Sequence, residues 1–276
     1  MFIFDGHSHV YPDKIAPKAS AAIGEFYGVK MRHDGTVRRL IASGCDTVGM
    51  SLICSVATVP DQVRAINDFI SRTVSAYPGR LVGFAALHPD MTADEIADEA
   101  SRIEALGLKG VKLHPDFQGF AIDDPKCGKL YSAIEGRLPV LIHTGDKKRG
   151  GSSPGRVPAV LDAFPKLDVI CAHFGGYFEW DDAYRLLVGR RVWVDTSSSV
   201  PYVGKKKALE FIERFGAERV IFGSDYPMWD PREEAEGVMN LGLKETVMEK
   251  IFHGNLCALI GVKPDRAEGG ALDGHV

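Results

Sequence analysis

Eight short apolar runs, separated by longer amphipathic ones, constrain this chain more than any other feature. The runs cover residues 2–4, 47–53, 81–87, 110–113, 140–142, 169–172, 192–195 and 220–222. They read as nearly continuous Val, Ile, Leu and Phe, the pattern of parallel strands covered on both faces by crossover helices. Eight βα units in 276 residues suit one (β/α)8 TIM barrel, a fold of about 250 residues, better than two domains. Helices are expected at 12–23, 36–43, 60–76, 92–106, 125–135, 157–163, 181–187, 205–215 and 232–239. In the fourth, Ile96, Ala100, Ile103 and Leu106 recur at helical spacing, and Asp94, Glu95, Asp98 and Glu99 take the opposite side. Residues 245–260 read as one or two extra C-terminal helices with a break at His253-Gly254-Asn255. The barrel is assigned to residues 1–262, and a small, polar, Gly-rich tail to 263–276.

Composition narrows the partners. The net charge is -4, and the dense basic runs, Lys147-Lys148-Arg149 and Lys205-Lys206-Lys207, are too short for a nucleic-acid footprint. Five scattered cysteines without a C-x-x-C pair suit a reducing compartment, so a cytoplasmic location is expected. Asp5 and His7 cut short the N-terminal apolar run, leaving no signal peptide to read, and no stretch approaches 18 apolar residues. The expected partner is therefore a small molecule, with neither nucleic acid nor membrane, and with pairing of outer helices into a homodimer.

In a βα barrel the active site forms at the C-terminal ends of the strands. The first strand leads into His7 and His9, spaced so that both point to one face and can share an ion. The third ends at His88, the fourth at His114, the fifth at His143, the sixth at His173 and the eighth at Asp225. Histidines placed for packing would have no reason to gather at one rim. Several neutral imidazoles with one carboxylate suit a single divalent ion, zinc before manganese or another first-row metal. Asp225 can take a proton from a metal-bound water, and His173 can hydrogen-bond the nucleophile or the developing charge.

His-Ser-His after the first strand, histidines after the fifth and sixth, and Gly-Ser-Asp-Tyr-Pro after the eighth resemble the amidohydrolase superfamily. The likeness is to its amidohydrolase-related branch, which includes decarboxylases of the aminocarboxymuconate semialdehyde and resorcylate types. It runs from Asp5 to about Asn255. The resemblance implies that His7, His9, His143 and Asp225 bind one metal, that His173 is the catalytic histidine, and that Asp225 also shuttles the proton. Lys112 stands near the place of the carbamylated lysine of binuclear members, but a mononuclear site is expected, with Lys112 in the barrel wall or paired with a carboxylate.

The substrate side is expected to use His114, Lys112, Trp229 and Tyr177. Other candidates are Tyr11, Phe117, Gln118, Trp180, Pro227 and the loop cations Lys147, Arg149 and Arg156. A metal-dependent hydrolase acting on an amide, ester or lactone is the leading expectation. Its alternative is a non-oxidative decarboxylase of a small carboxylic acid, aromatic or not. The chain lacks a long insertion to close over such an acid, which favours hydrolysis. A non-catalytic binding barrel is disfavoured because every ligand type is present.

Overall fold

The computed structural model describes residues 1–263, so the expected tail beyond Lys263, with His275, lies outside the described residues. Eight parallel strands follow one another around the molecule. They are β1 (Phe4–His9), β2 (Met50–Cys54), β3 (Leu81–Gly83, continued by Ala85–Ala86), β4 (Val111–Leu113), β5 (Val140–Ile142), β6 (Val169–Cys171), β7 (Trp193–Asp195) and β8 (Val220–Ile221). Each pairs in parallel with its sequence neighbour. Phe84 interrupts β3 without parting its neighbours, because its N–H still donates to Ile53 O at 3.0 Å. The circle closes between the first and last strands. Gly6 N donates to Phe222 O (2.8 Å), Asp225 N to His7 O (2.8 Å) and His9 N to Tyr226 O (2.6 Å). The fold is a TIM barrel, as the alternation of runs predicts.

The closing seam depends on two glycines. A Cβ on Gly6 would come within 2.8 Å of Ile221 Cγ2 and 2.9 Å of Phe222 O, and one on Gly223 within 2.8 Å of His7 Cβ. Strand β1 is longer than the run at 2–4 suggests, and its pairing with β2 slips by one residue between Asp5 and Ser8. Such a bulge re-aims the side chains that follow it. Inward and outward residues alternate along the strands. Lys112 lies in register with Leu141, and Leu141 with Ile170, so Lys112 points into the barrel, where it is fully buried.

Around the strands lie α1 (Ala16–Tyr27), α2 (Val37–Gly44), α3 (Val63–Ala76), α4 (Ala93–Ala105), α5 (Pro115–Gln118), α6 (Gly128–Ile134), α7 (Val157–Ala163), α8 (Trp180–Leu187), α9 (Val200–Phe215) and α10 (Pro231–Met239). Helix α4 opens on a capping box between Thr92 and Glu95. Helix α1 begins and ends four residues later than its apolar pattern suggests, stopping where Gly28 takes a left-handed conformation (φ 68°). That shift carries Phe26 and Tyr27 over the barrel mouth. Helix α5 was not expected, and α9 starts at Val200, ahead of the expected 205, with a kink at Gly204. At the C-terminus α11 (Glu245–Glu249) passes through a π-helical turn, Lys250–Gly254, into α12 (Asn255–Ile260), which is where the break was expected. Leu256 and Ile260 of α12 pack with Phe4, Leu52, Phe84, Leu141, Ile170 and Ile221.

Candidate metal centre

His7, on the bulged strand β1, is fully buried, and its hydrogen bonds define its tautomer. Its Nδ1 donates to Asp195 Oδ2 at 2.9 Å, leaving the lone pair on Nε2. His9 is arranged alike: Cys54 Sγ donates to Ser8 O at 3.5 Å and accepts from His9 Nδ1 at 3.7 Å, so His9 also presents Nε2. The two Nε2 atoms are 3.2 Å apart, and Asp225 Oδ1 stands 3.7 and 3.8 Å from them. Three acceptors thus converge on one point. Ligands around an ion at about 2.1 Å stand about 3.0–3.4 Å apart; the imidazole pair has that spacing, and the Asp225 carboxylate stands a few tenths of an ångström outside it.

His143 and His173 form a second facing pair. His143 Nε2 donates to Gly145 O (3.0 Å), and His173 Nδ1 to Ser197 O (3.1 Å). Their remaining nitrogens meet at 3.0 Å. With both lone pairs turned inward, that contact needs a proton or a cation. His143 stands beside the trio of His7, His9 and Asp225, whose ligand atoms all lie within 4.8 Å of one another, and does not join it.

Burial lowers the pKa of His7, His9 and His143 well below the usual range and takes His173 to about 4, so all four rings are neutral at pH 7. Burial raises Asp225 to about 7, against a 2.7 Å hydrogen bond from Ser198 Oγ. A bound cation would pull the carboxyl back towards its ionised form. Neutral imidazoles and an ionisable carboxyl are the donor chemistry of a first-row divalent metal. His173 and Asp225 also hold left-handed backbones (φ 62° and 59°), strain of a kind that collects at functional sites.

Lys112 Nζ donates to His7 Nε2 at 2.9 Å, and among the described residues no carboxylate oxygen lies within 4.0 Å of it, so of its two expected places the buried one inside the barrel fits and the ion pair does not. Burial lowers its pKa. Residues that the sequence reading missed do much of the positioning. Asp195 holds His7 and also accepts from the backbone N–H of His173 (2.9 Å). Asp5 accepts from the backbone N–H of His7 (3.1 Å) and of Ser224 (2.9 Å), tying β1 to the loop after β8. Tyr27 hangs from α1 into the centre and donates to His114 Nε2 at 2.9 Å.

A cavity of about 640 Å³ opens above the centre. His9, His114, His143, His173, Tyr177 and Asp225 line it, with Tyr11, Phe117 and Pro227. His114 is stacked between His143 and Phe117, at 4.0 and 3.9 Å. Trp229 and Lys112 are not in the lining. Trp229 Nε1 donates to Ser198 Oγ at 2.8 Å, one step behind Asp225. Gln118 braces the ends of neighbouring strands, donating to Ala57 O and Leu87 O, and Trp180 donates to His173 O. His88 accepts from the backbone N–H of Asp90, away from the cavity. Of the loop cations, Arg149 stacks on Phe26 at 4.3 Å and Arg156 pairs with Asp123; neither lines the cavity, nor does Lys147.

A family model described as amidohydrolase matches residues 5–259. The chain is 26% identical over 246 residues, 75% of its length and 68% of the relative's, to a 2-amino-3-carboxymuconate-6-semialdehyde decarboxylase of Dictyostelium discoideum. It superimposes on an uncharacterised TIM-barrel protein of Bordetella bronchiseptica with a TM-score of 0.75, at 19% identity, covering 95% of this chain and 99% of that one. A dihydroxybenzoic acid decarboxylase of Polaromonas sp. JS666, with bound manganese and the inhibitor 2-nitroresorcinol, gives a TM-score of 0.69 at 16% identity, covering 94% and 96%.

Proposed function

The chain belongs to the amidohydrolase family, and within that family of enzymes we propose that it is a metal-dependent, non-oxidative decarboxylase of a small carboxylic acid. This reverses the order in which the sequence alone ranks decarboxylation and hydrolysis. Hydrolysis led because no long insertion was visible to close over an acid. Helix α1 needs no insertion: it crosses the barrel mouth and, with Ile15 just ahead of it, lays Ala19, Ile23 and Phe26 against the cavity. The named decarboxylases to which the chain is similar support the same reading.

The observation that carries the proposal is the character of that wall around the converging donors. A carboxylate enclosed by aliphatic and aromatic side chains loses hydration, whereas carbon dioxide is neutral and needs none, so enclosure favours the bond cleavage. His7, His9 and Asp225 would hold the ion, with His143 beside them; zinc and manganese both suit the set. When bound, a divalent ion there supplies Lewis-acid attachment for the substrate carboxylate and a neighbouring oxygen. His173 is fixed through Nδ1 by Ser197 O, so its neutral ring presents the Nε2 lone pair, which takes up a proton from solvent and then passes it to the carbon that loses carbon dioxide. Ser198 occupies Asp225 Oδ2 and leaves Oδ1 turned to the His7 and His9 pair.

Incubation of the zinc- or manganese-loaded protein with hydroxybenzoic and unsaturated amino acids in deuterated water tests this. Carbon dioxide should appear, with one deuteron at the carbon that bore the carboxylate. Turnover of lactones, esters or amides without release of carbon dioxide from any acid would restore the hydrolase reading.

A further inference from the structure

Beyond the converging donors, the cavity is built from two helices that face each other with apolar stripes. Ile15, Ala19, Ala22, Ile23 and Phe26 recur at helical spacing at and along α1; Ala65, Ile66 and Phe69 do the same on α3. Met31, Val56 and Met228 add to this outer part, with the neutral polar side chains of Ser55, Thr58 and Gln62. Among the described residues no lysine or arginine contributes to the lining. Lys112 is turned to His7 below, and Arg149 is stacked on Phe26. The volume also exceeds the need of a single ring. A cavity of about 150 Å³ accommodates benzene, and this one measures about 640 Å³.

On these grounds we propose that the substrate is an amphiphilic mono-acid. One carboxylate lies at the histidine end, and an apolar body longer than one ring runs between α1 and α3. The inference rests on the decarboxylase reading for the fate of the carboxylate, but not for the shape and charge of the ligand. A second carboxylate in the outer part would meet mainly aliphatic and aromatic groups, beside the neutral polar side chains of Ser55, Thr58 and Gln62, with no cation among the lining residues to offset its desolvation. Each methylene added to the tail would instead leave water, an increment of about three- to fourfold in affinity. The pocket continues directly from the site, which is why a ligand of that site is the occupant argued for, and not a second copy of the chain.

Calorimetric titration of the manganese-loaded protein with 4-alkylsalicylates, from methyl to hexyl, and with 2-hydroxyterephthalate provides the test. Affinity should rise about three- to fourfold per methylene until the tail reaches the cavity's end, and the di-acid should bind at least tenfold more weakly than the ethyl compound. Ala22→Arg, at an exposed position of α1, should reverse this preference, strengthening the di-acid and weakening the hexyl compound, with unchanged circular dichroism. Affinity independent of tail length, or tighter binding of the di-acid to the unmodified protein, would overturn the mono-acid class. Carbon dioxide release from the same ligands is read separately. The expected binding series without any release would count against decarboxylation and leave the ligand class standing.

Discussion

Asp195 stands behind the converging donors of the candidate centre, and its two oxygens fix His7 and the backbone of His173 at once. Partners behind a ligand set its tautomer and orientation, and losing one typically costs 10–100-fold in metal affinity. Asp195→Asn should therefore weaken zinc binding by about that factor in competition with a chelator, with the fold intact by circular dichroism. Unchanged affinity would mean that the carboxylate only braces the backbone. Glu234, buried on α10, titrates differently. Burial, followed by the nearby Asp225 charge, raises its pKa to about 8. A carboxyl whose folded-state pKa lies above its unfolded value contributes stability that is complete below the unfolded pKa, 4.5, and is lost as pH rises through 8. Glu234→Gln should thus gain on the parent protein as pH goes from 5 to 9, at about 2–4 °C in Tm per kcal/mol. A Tm difference that stays constant over that range would show that Glu234 ionises as freely in the folded protein as in the unfolded one.

The elements divide the glycines into two kinds. Gly6 and Gly223 stand where strands β1 and β8 approach too closely for any Cβ, whereas Gly237, inside α10, has nothing within 4 Å of the place its Cβ would take. Gly6→Ala should destabilise by about 1–3 kcal/mol through overpacking, and Gly237→Ala should stabilise by about 0.5–1 kcal/mol through helix propensity. Equal effects in urea unfolding would dismiss the close approach at the seam. The strands were legible because burial on both faces leaves continuous apolar runs, and the histidines at their ends followed from that. Tyr27 was not legible, because the apolar pattern of α1 begins at Pro12, whereas helical geometry begins only at Ala16, before Pro17. Asp195 was hidden for another reason. It ends an ordinary strand, and nothing local marks a contact with a histidine 188 positions away. Trp229 offered a ring at the right rim, but the sequence carries no sign that Ser198 stands between it and the cavity.

Across the whole molecule, the candidate ligands lie at the two ends of the chain's path. His7 and His9 come from the first strand and Asp225 follows the last, so an ion held by them would bridge the seam at which the barrel closes. A ligand that binds only the folded state stabilises it, by about 2.7 kcal/mol at a hundredfold excess over Kd. Here that gain should be concentrated where the bridge lies. The amides of Gly6, His9 and Asp225 donate across the seam, whereas those of Val111 and Val140 donate between strands far from it. Removing metal by dialysis against a chelator should speed hydrogen exchange at the first three and leave the last two nearly unchanged, because local opening there needs no parting of β1 from β8. His9→Ala should show the fast seam exchange with or without added zinc. A uniform change over all five amides would mean that metal stabilises the barrel as a whole, and no change at any of them would remove the ion from the seam altogether.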